Sequence, residues 1–176
     1  MKGVANWILV IGGMIMGIVI FTISASLLIN HIRTMKRQTV LGQIQNFHDE
    51  LTTICKMGLG HRKKYYLVLP DTVRAVYVAN KSYDTPPDKV SAYISDKVSA
   101  VGNHTCIQFF DENVPICQYI GCKTRLTYIG SPSLKSNLQV FVAQLKGEYP
   151  VYEYTLQIEK AGEYFLDVDA EEGIED

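Results

Sequence analysis

The chain has 176 residues, of which 47% are hydrophobic and 20% charged, and its formal net charge is −1. A chain of this length suits one domain with a substantial core rather than two. The near-neutral charge gives no electrostatic reason to expect nucleic acid as a partner, and we predict none.

The N-terminal segment is apolar, and no charged side chain lies between Lys2 and His31. A secretory signal has an apolar core of about 7–15 residues, whereas a membrane-spanning helix needs about 20. The small residues at Ser24–Ser26 leave a cleaved signal as the alternative, but apolar residues continue beyond them to Ile29. We therefore predict a retained transmembrane helix over residues 4–30.

The helical pattern continues beyond the membrane segment. Apolar residues recur at intervals of three and four through residues 31–58, with polar residues between them. Gly58 is a natural C-terminal stop. Residues 31–58 are therefore predicted to be an amphipathic continuation of the same helix, on the order of 80 Å long in total at 1.5 Å per residue.

After Gly60 the pattern becomes typical of strands, with β-branched and aromatic residues bounded by turn signals. The predicted strands are Lys63–Pro70, Thr72–Asn80, His104–Phe110, Ile116–Ile120, Lys123–Ile129, Leu138–Leu145, Tyr152–Glu159 and Glu163–Val168. Residues 89–102 alternate like a strand, with a short helix as the alternative. The predicted fold class is α+β: a long N-terminal helix, a predominantly antiparallel β head over residues 59–168 and a solvated acidic tail over residues 169–176.

All four cysteines follow the membrane segment: Cys55, Cys106, Cys117 and Cys122. An even number in a β-rich domain favours disulfides in an oxidising compartment. A zinc site is disfavoured because no CxxC pair is present, so no metal is predicted. Four reduced thiols remain the alternative.

Of the three possible pairings we predict the one with a local bridge. Gly121 is expected to let the short segment between Cys117 and Cys122 turn back, so that these two meet. Cys55 would then be bonded to Cys106, joining the end of the helix to the head.

Two signals conflict on the side of the membrane that the head occupies. Basic residues Arg33, Lys36 and Arg37 follow the helix, and the positive-inside rule would place them in the cytoplasm. The cysteines favour the outside, and possible glycosylation sequons begin at Asn80 and Asn103. We predict a single-pass plasma-membrane protein with an extracytoplasmic head; a cytoplasmic head is the alternative.

The sequence Met1-Lys2-Gly3 before an apolar helix resembles the leader of type IV prepilins, with possible cleavage after Gly3. The stretch ICKMGLGHRKKYYLVLP resembles the helix-to-strand junction of small archaeal pilin-like proteins, and the likeness covers residues 1 to about 80. Pilins commonly carry glutamate at the fifth mature position, which is Ile8 here. The resemblance implies a retained helix, a β-rich head and assembly into a surface filament.

Gly13 and Gly17 form a GxxxG spacing within the apolar helix. Small residues one turn apart let helices approach closely in lipid. We therefore expect self-association or association with related pilin-like subunits through this helix; a solitary anchor is the alternative.

No GxSxG, HExxH, P-loop or dinucleotide motif is found, so no catalytic residue and no cofactor are predicted. The head is rich in tyrosine, which suits half-buried strands or an adhesive face. The predicted function is a non-enzymatic membrane-anchored cell-surface protein of the pilin-like kind. The alternatives are a solitary anchored binding or sensor domain and a cytoplasmic-facing subunit of a membrane complex.

Overall fold

The computed structural model describes residues 2–131 and 151–172. Its helices are α1 (Lys2–Cys55) and α2 (Val90–Ser95), and its strands are β1 (Arg62–Pro70), β2 (Val73–Ala79), β3 (Ser99–Phe109), β4 (Ile116–Thr127), β5 (Val151–Gly162) and β6 (Phe165–Glu172). The predicted α+β class, with one long N-terminal helix and a mainly antiparallel β head, is confirmed. The chain divides into two compact units, residues 1–41 and 42–176.

The first unit is the N-terminal part of α1. Apolar side chains from Val10 to Ile29 are exposed on every side of the helix, with Phe21 75% exposed. A helix that is apolar all round needs an apolar environment. By length and composition α1 is long and apolar enough to cross a membrane.

The second unit is built on a six-stranded sheet with the order β1-β5-β6-β4-β3-β2. Neighbouring strands are antiparallel, except that β4 and β6 run parallel. Glu159 of β5 and Asp167 and Asp169 of β6 alternate with core-facing residues, which gives each strand a core face and a polar face.

One face of the sheet carries the main core, to which the C-terminal part of α1 contributes Ile44, Phe47, Leu51 and Ile54. Their spacing of three and four residues places them on one side of the helix. The rings of Phe47 and Tyr65 of β1 lie 5.3 Å apart. Residues 42–55 are therefore part of the head's core.

The opposite face holds a smaller cluster beneath α2. Val90 and Ile94 of α2 cluster with buried Tyr77 of β2 and Cys106 of β3. Tyr77 is stacked on Tyr128 at 5.7 Å between ring centroids. The pKa of Tyr77 is raised, chiefly by burial and to a smaller extent by the nearby Tyr128.

Four sequence-based boundaries need correction. Residues 89–102 do not form a single strand: the short helix given as the alternative is present as α2, with Val90 and Ile94 buried, and Ser99 begins β3. Strand β4 runs through Gly121, which has φ +89°, where we predicted two strands, but its register against β3 shifts between Tyr119 and Thr124. Helix α1 ends at Cys55 rather than at residue 58.

The fourth correction concerns the acidic tail. Strand β6 reaches Glu172, because the backbone of Asp169–Glu172 pairs with β5 and Ala170 continues the core-facing alternation of Leu166 and Val168. Residues 169–172 are therefore strand, and the prediction of a solvated tail was wrong for them. The rest of the predicted tail and the predicted strand Leu138–Leu145 lie outside the described residues.

Candidate functional site at the helix–sheet junction

The four cysteines form two disulfides, Cys55–Cys122 and Cys106–Cys117. The prediction that they pair with one another is confirmed, but the predicted pairing was wrong. The local bridge fails because Cys117 and Cys122 lie five residues apart on one continuous strand. Their side chains lie on opposite faces of the sheet, Cys117 opposite Cys106 beneath α2 and Cys122 beside Cys55 at the end of α1, so their sulfur atoms cannot meet.

Strand register explains the pairing on the α2 side. Cys106 of β3 and Cys117 of β4 are directly opposite in the antiparallel ladder, with Cα atoms 4.1 Å apart. Such close cross-strand pairs are the non-hydrogen-bonded positions of an antiparallel sheet. Cys122 faces the other side, where helix α1 ends, and bonds to Cys55 at a Cα–Cα distance of 6.0 Å.

A buried lysine completes this junction. Lys160 of β5 is 2% exposed, and its Nζ donates a hydrogen bond to the backbone oxygen of Cys55 at 2.6 Å. The same Nζ lies 3.6 Å from Sγ of Cys122. We refer to Cys55, Cys122 and Lys160 as the junction site.

The position of Lys160 suits the end of a helix. The last carbonyls of an α-helix have no intrahelical partner and carry the negative end of the helix dipole. An ammonium group there satisfies one carbonyl and is itself stabilised. None of the ion pairs Arg62–Glu159, Lys63–Glu50 and Arg125–Asp167 includes Lys160, and no carboxylate contact with the buried Lys160 is recorded among the described residues.

Polar contacts also hold residues 42–55 of α1 to the sheet. The Tyr65 hydroxyl donates to the oxygen of Gln43 at 3.1 Å, and Lys63 pairs with Glu50 at 2.8 Å. Burial raises the pKa of Tyr65, with a smaller contribution from Glu50. Burial lowers the pKa of His48, against an opposing effect of Asp49.

The polar face of the sheet carries a row of paired charges. Arg62 pairs with Glu159 at 3.0 Å, and Arg125 pairs with Asp167 on the neighbouring strand. The hydrogen bond that Arg125 donates to Asp167 is the main cause that raises the pKa of Arg125. Because these charges are paired across the strands, the row is more typical of a solvated sheet surface than of a reactive site. In the described ranges no three His, Cys, Asp or Glu side chains are placed to hold a metal.

The other predicted residues are spread along the chain. Gly3, Gly13 and Gly17 lie within α1, and a Cβ atom on Gly13 or Gly17 would meet nothing within 4 Å. Asn80 is exposed just after β2. Asn103 lies within β3, where its Oδ1 contacts Nδ1 of His104 at 2.7 Å. Exposure makes the Asn80 sequon the better candidate for glycosylation.

Sequence reasoning missed Lys160, although a signal was present. Tyr154, Leu156 and Ile158 alternate along β5 as core-facing residues, and Lys160 occupies the next position in that series. A lysine in the core phase of a strand needs a partner, because an isolated buried charge is costly. The period alone could therefore have marked it.

Comparisons of the chain with protein-family models, with curated proteins and with solved structures find no match.

Proposed function

We propose that this protein is a non-enzymatic, membrane-anchored subunit of a surface assembly, of the pilin-like kind. In this proposal residues 4–30 cross the plasma membrane, and the head lies on the extracytoplasmic side. The observation that carries the proposal is the continuity of α1. One helix, Lys2–Cys55, includes both an exposed, predominantly apolar segment without charged residues and a segment built into the core of a disulfide-bonded head.

The two disulfides support the proposed side of the membrane. Disulfides form and persist in oxidising compartments and are rare in the cytosol. All the cysteines of the chain lie after the apolar segment, and each is bonded to another. This weighs against the cytoplasmic alternative, which the basic cluster after the helix would favour.

The exposed apolar part of α1 supports assembly. Lipid covers such a helix, but helices in lipid also associate where small residues allow close approach. Gly13 and Gly17 lie one turn apart with open space around their Cα atoms. A second copy of the chain, or a related pilin-like subunit, would fit against this side of the helix.

The mature N-terminus tests the proposal. Intact-mass analysis of the purified membrane protein should give a chain beginning at Val4, because processing after Gly3 is what the leader resemblance implies. A Gly3→Leu variant, purified in the same way, should retain Met1. A wild-type chain that begins at Met1 and sediments as a monomer in detergent would instead support a solitary anchored binding or sensor domain.

A further inference from the structure

We infer that Cys55–Cys122 is a thiol–disulfide exchange site: a dithiol reductant cleaves this bond in the folded protein, with Cys122 as the leaving thiolate, while Cys106–Cys117 stays oxidised. The inference rests on the junction site alone and does not depend on membrane insertion or assembly. It assigns to the buried Lys160 a chemical role beyond capping the helix.

Access determines which sulfur is attacked. Exchange requires a thiolate to reach one sulfur of the disulfide. Cys55 is partly exposed and is followed by the exposed residues Lys56 and Met57, whereas Cys122 is 1% exposed. An external thiolate therefore reaches Sγ of Cys55, and Cys122 is the group that leaves.

Lys160 favours that departure. A leaving thiol departs faster when its thiolate is stabilised, and nearby lysine side chains stabilise thiolates. Nζ of Lys160 already lies 3.6 Å from Sγ of Cys122. Among the described residues the ammonium contacts the Cys55 carbonyl and the neutral sulfur of Cys122 in the oxidised protein, so reduction supplies a full negative charge next to a buried cation.

The electrons and protons balance with a dithiol as co-reactant. Its thiolate attacks Sγ of Cys55 and forms a mixed disulfide, while the Cys55–Cys122 bond breaks and its electron pair remains on Cys122. The second thiol of the reductant, as a thiolate, then attacks the mixed disulfide. The reductant leaves as a disulfide, Cys55 takes one proton, and the other proton goes to solvent.

The second disulfide also has one buried and one partly exposed sulfur, but it has no neighbouring cation. Cys106 is fully buried under α2 in the cluster with Tyr77 and Val90, and Cys117 is partly exposed. No lysine or arginine contact to Cys106 or Cys117 is recorded among the described residues. The two bonds of one molecule therefore provide an internal comparison.

To test this, the full-length protein in detergent is equilibrated in buffers with set ratios of reduced to oxidised dithiothreitol. Free thiols are then trapped by alkylation, and peptide mass mapping quantifies the reduced fraction of each bond. Cys55–Cys122 should be half reduced at a ratio of reduced to oxidised dithiothreitol at least tenfold lower than the ratio that half reduces Cys106–Cys117. Lys160→Met, which keeps the length of the side chain, should raise the ratio for Cys55–Cys122 about tenfold, equivalent to about 30 mV. Lys123→Met, which removes an exposed lysine next to Cys122, should change neither bond.

Equal reducibility of the two bonds in the wild type, or no shift in Lys160→Met, would overturn the inference. If Lys160→Met does not fold, a Cys55→Ala variant retains the test, since it frees Cys122 beside an intact Lys160. Ultraviolet absorbance of the thiolate should then give Cys122 a pKa below the usual value of about 8.5. A pKa at or above that value would also overturn the inference. Cys117→Ala, which frees Cys106 in an apolar cluster, is the matched control and should show no such lowering.

Discussion

Cys55 and Cys122 are 67 positions apart in the sequence, yet their Cα atoms lie 6.0 Å apart and their sulfurs are bonded. The bond joins the last residue of α1 to strand β4, which lies inside the sheet between β6 and β3. The covalent tie therefore coincides with the packing of Phe47 and Leu51, and both make residues 42–55 part of the head.

Loss of the Cys55–Cys122 bond should destabilise the head more than loss of Cys106–Cys117. In the chain-entropy model a loop of 67 residues contributes about 4 kcal/mol, against about 3 kcal/mol for one of 11. Thermal unfolding of the Cys55→Ala/Cys122→Ala and Cys106→Ala/Cys117→Ala double variants should show the lower melting temperature for the first. The reverse order of melting temperatures would mean that packing under α2, rather than loop closure, determines how much each disulfide stabilises the head.

Phe47→Ala should lower the free energy of unfolding of the head by about 3–5 kcal/mol, because the ring is fully buried and its removal leaves a cavity. Urea titration of the full chain in a mild detergent, followed by tyrosine fluorescence, measures this. The matched control is Tyr66→Ala, since Tyr66 is 73% exposed and its loss should change stability by no more than about 0.5 kcal/mol. A small effect at Phe47 would show that residues 42–55 are dispensable to the head.

His48 should make the head less stable in mild acid. Burial lowers its pKa in the folded protein below the ordinary value of 6.5, so the unfolded chain binds the proton more readily. Well above pH 6.5 His48 is neutral in both states, and the free energy of unfolding does not change with its protonation. As the pH falls through 6.5 towards the folded-state pKa, the unfolded chain binds the proton first and the free energy of unfolding decreases. Melting temperatures measured across that range should decline less in His48→Gln than in the wild type. His61→Gln, at an exposed position after the helix, should leave the decline as it is.

The proposed topology predicts where thiols become accessible. After mild external reduction of intact cells, a maleimide that cannot cross membranes should label the head, and the label should map first to Cys55. The Cys55→Ala/Cys122→Ala variant should take up much less label under the same conditions. Labelling that requires cell lysis would support the cytoplasmic alternative.

Periodicity predicted much of the fold from the sequence. The helical repeat through residues 31–55 and the alternation in β1, β2 and β5 each depend on neighbours within the same element. The segment with α2 was ambiguous because Val90 and Ile94 fit both a strand face and a helix face over so short a run. The break predicted at Gly121 takes the form of a register shift against β3 rather than the end of a strand, because a glycine with positive φ can be accommodated at an irregularity within a long strand.

The junction site could not be predicted in the same way. Which cysteines meet depends on the register of β3 against β4 and on which face of the sheet α1 covers. Both are long-range properties that no local pattern encodes. Lys160 was also missed, although its position in the alternation of β5 could have marked it as buried.

Self-association of the membrane helix tests the central claim most directly. Sedimentation of the full chain in detergent should show an oligomer for the wild type, while Gly13→Leu and Gly17→Leu should shift it to the monomer, since leucine adds bulk where close approach is proposed and keeps the helix apolar. Ile15→Leu, on the same stretch of helix without a change in size, should remain an oligomer. A monomeric wild type, or an oligomer unchanged in both glycine variants, would contradict the proposal that this protein assembles through its N-terminal helix.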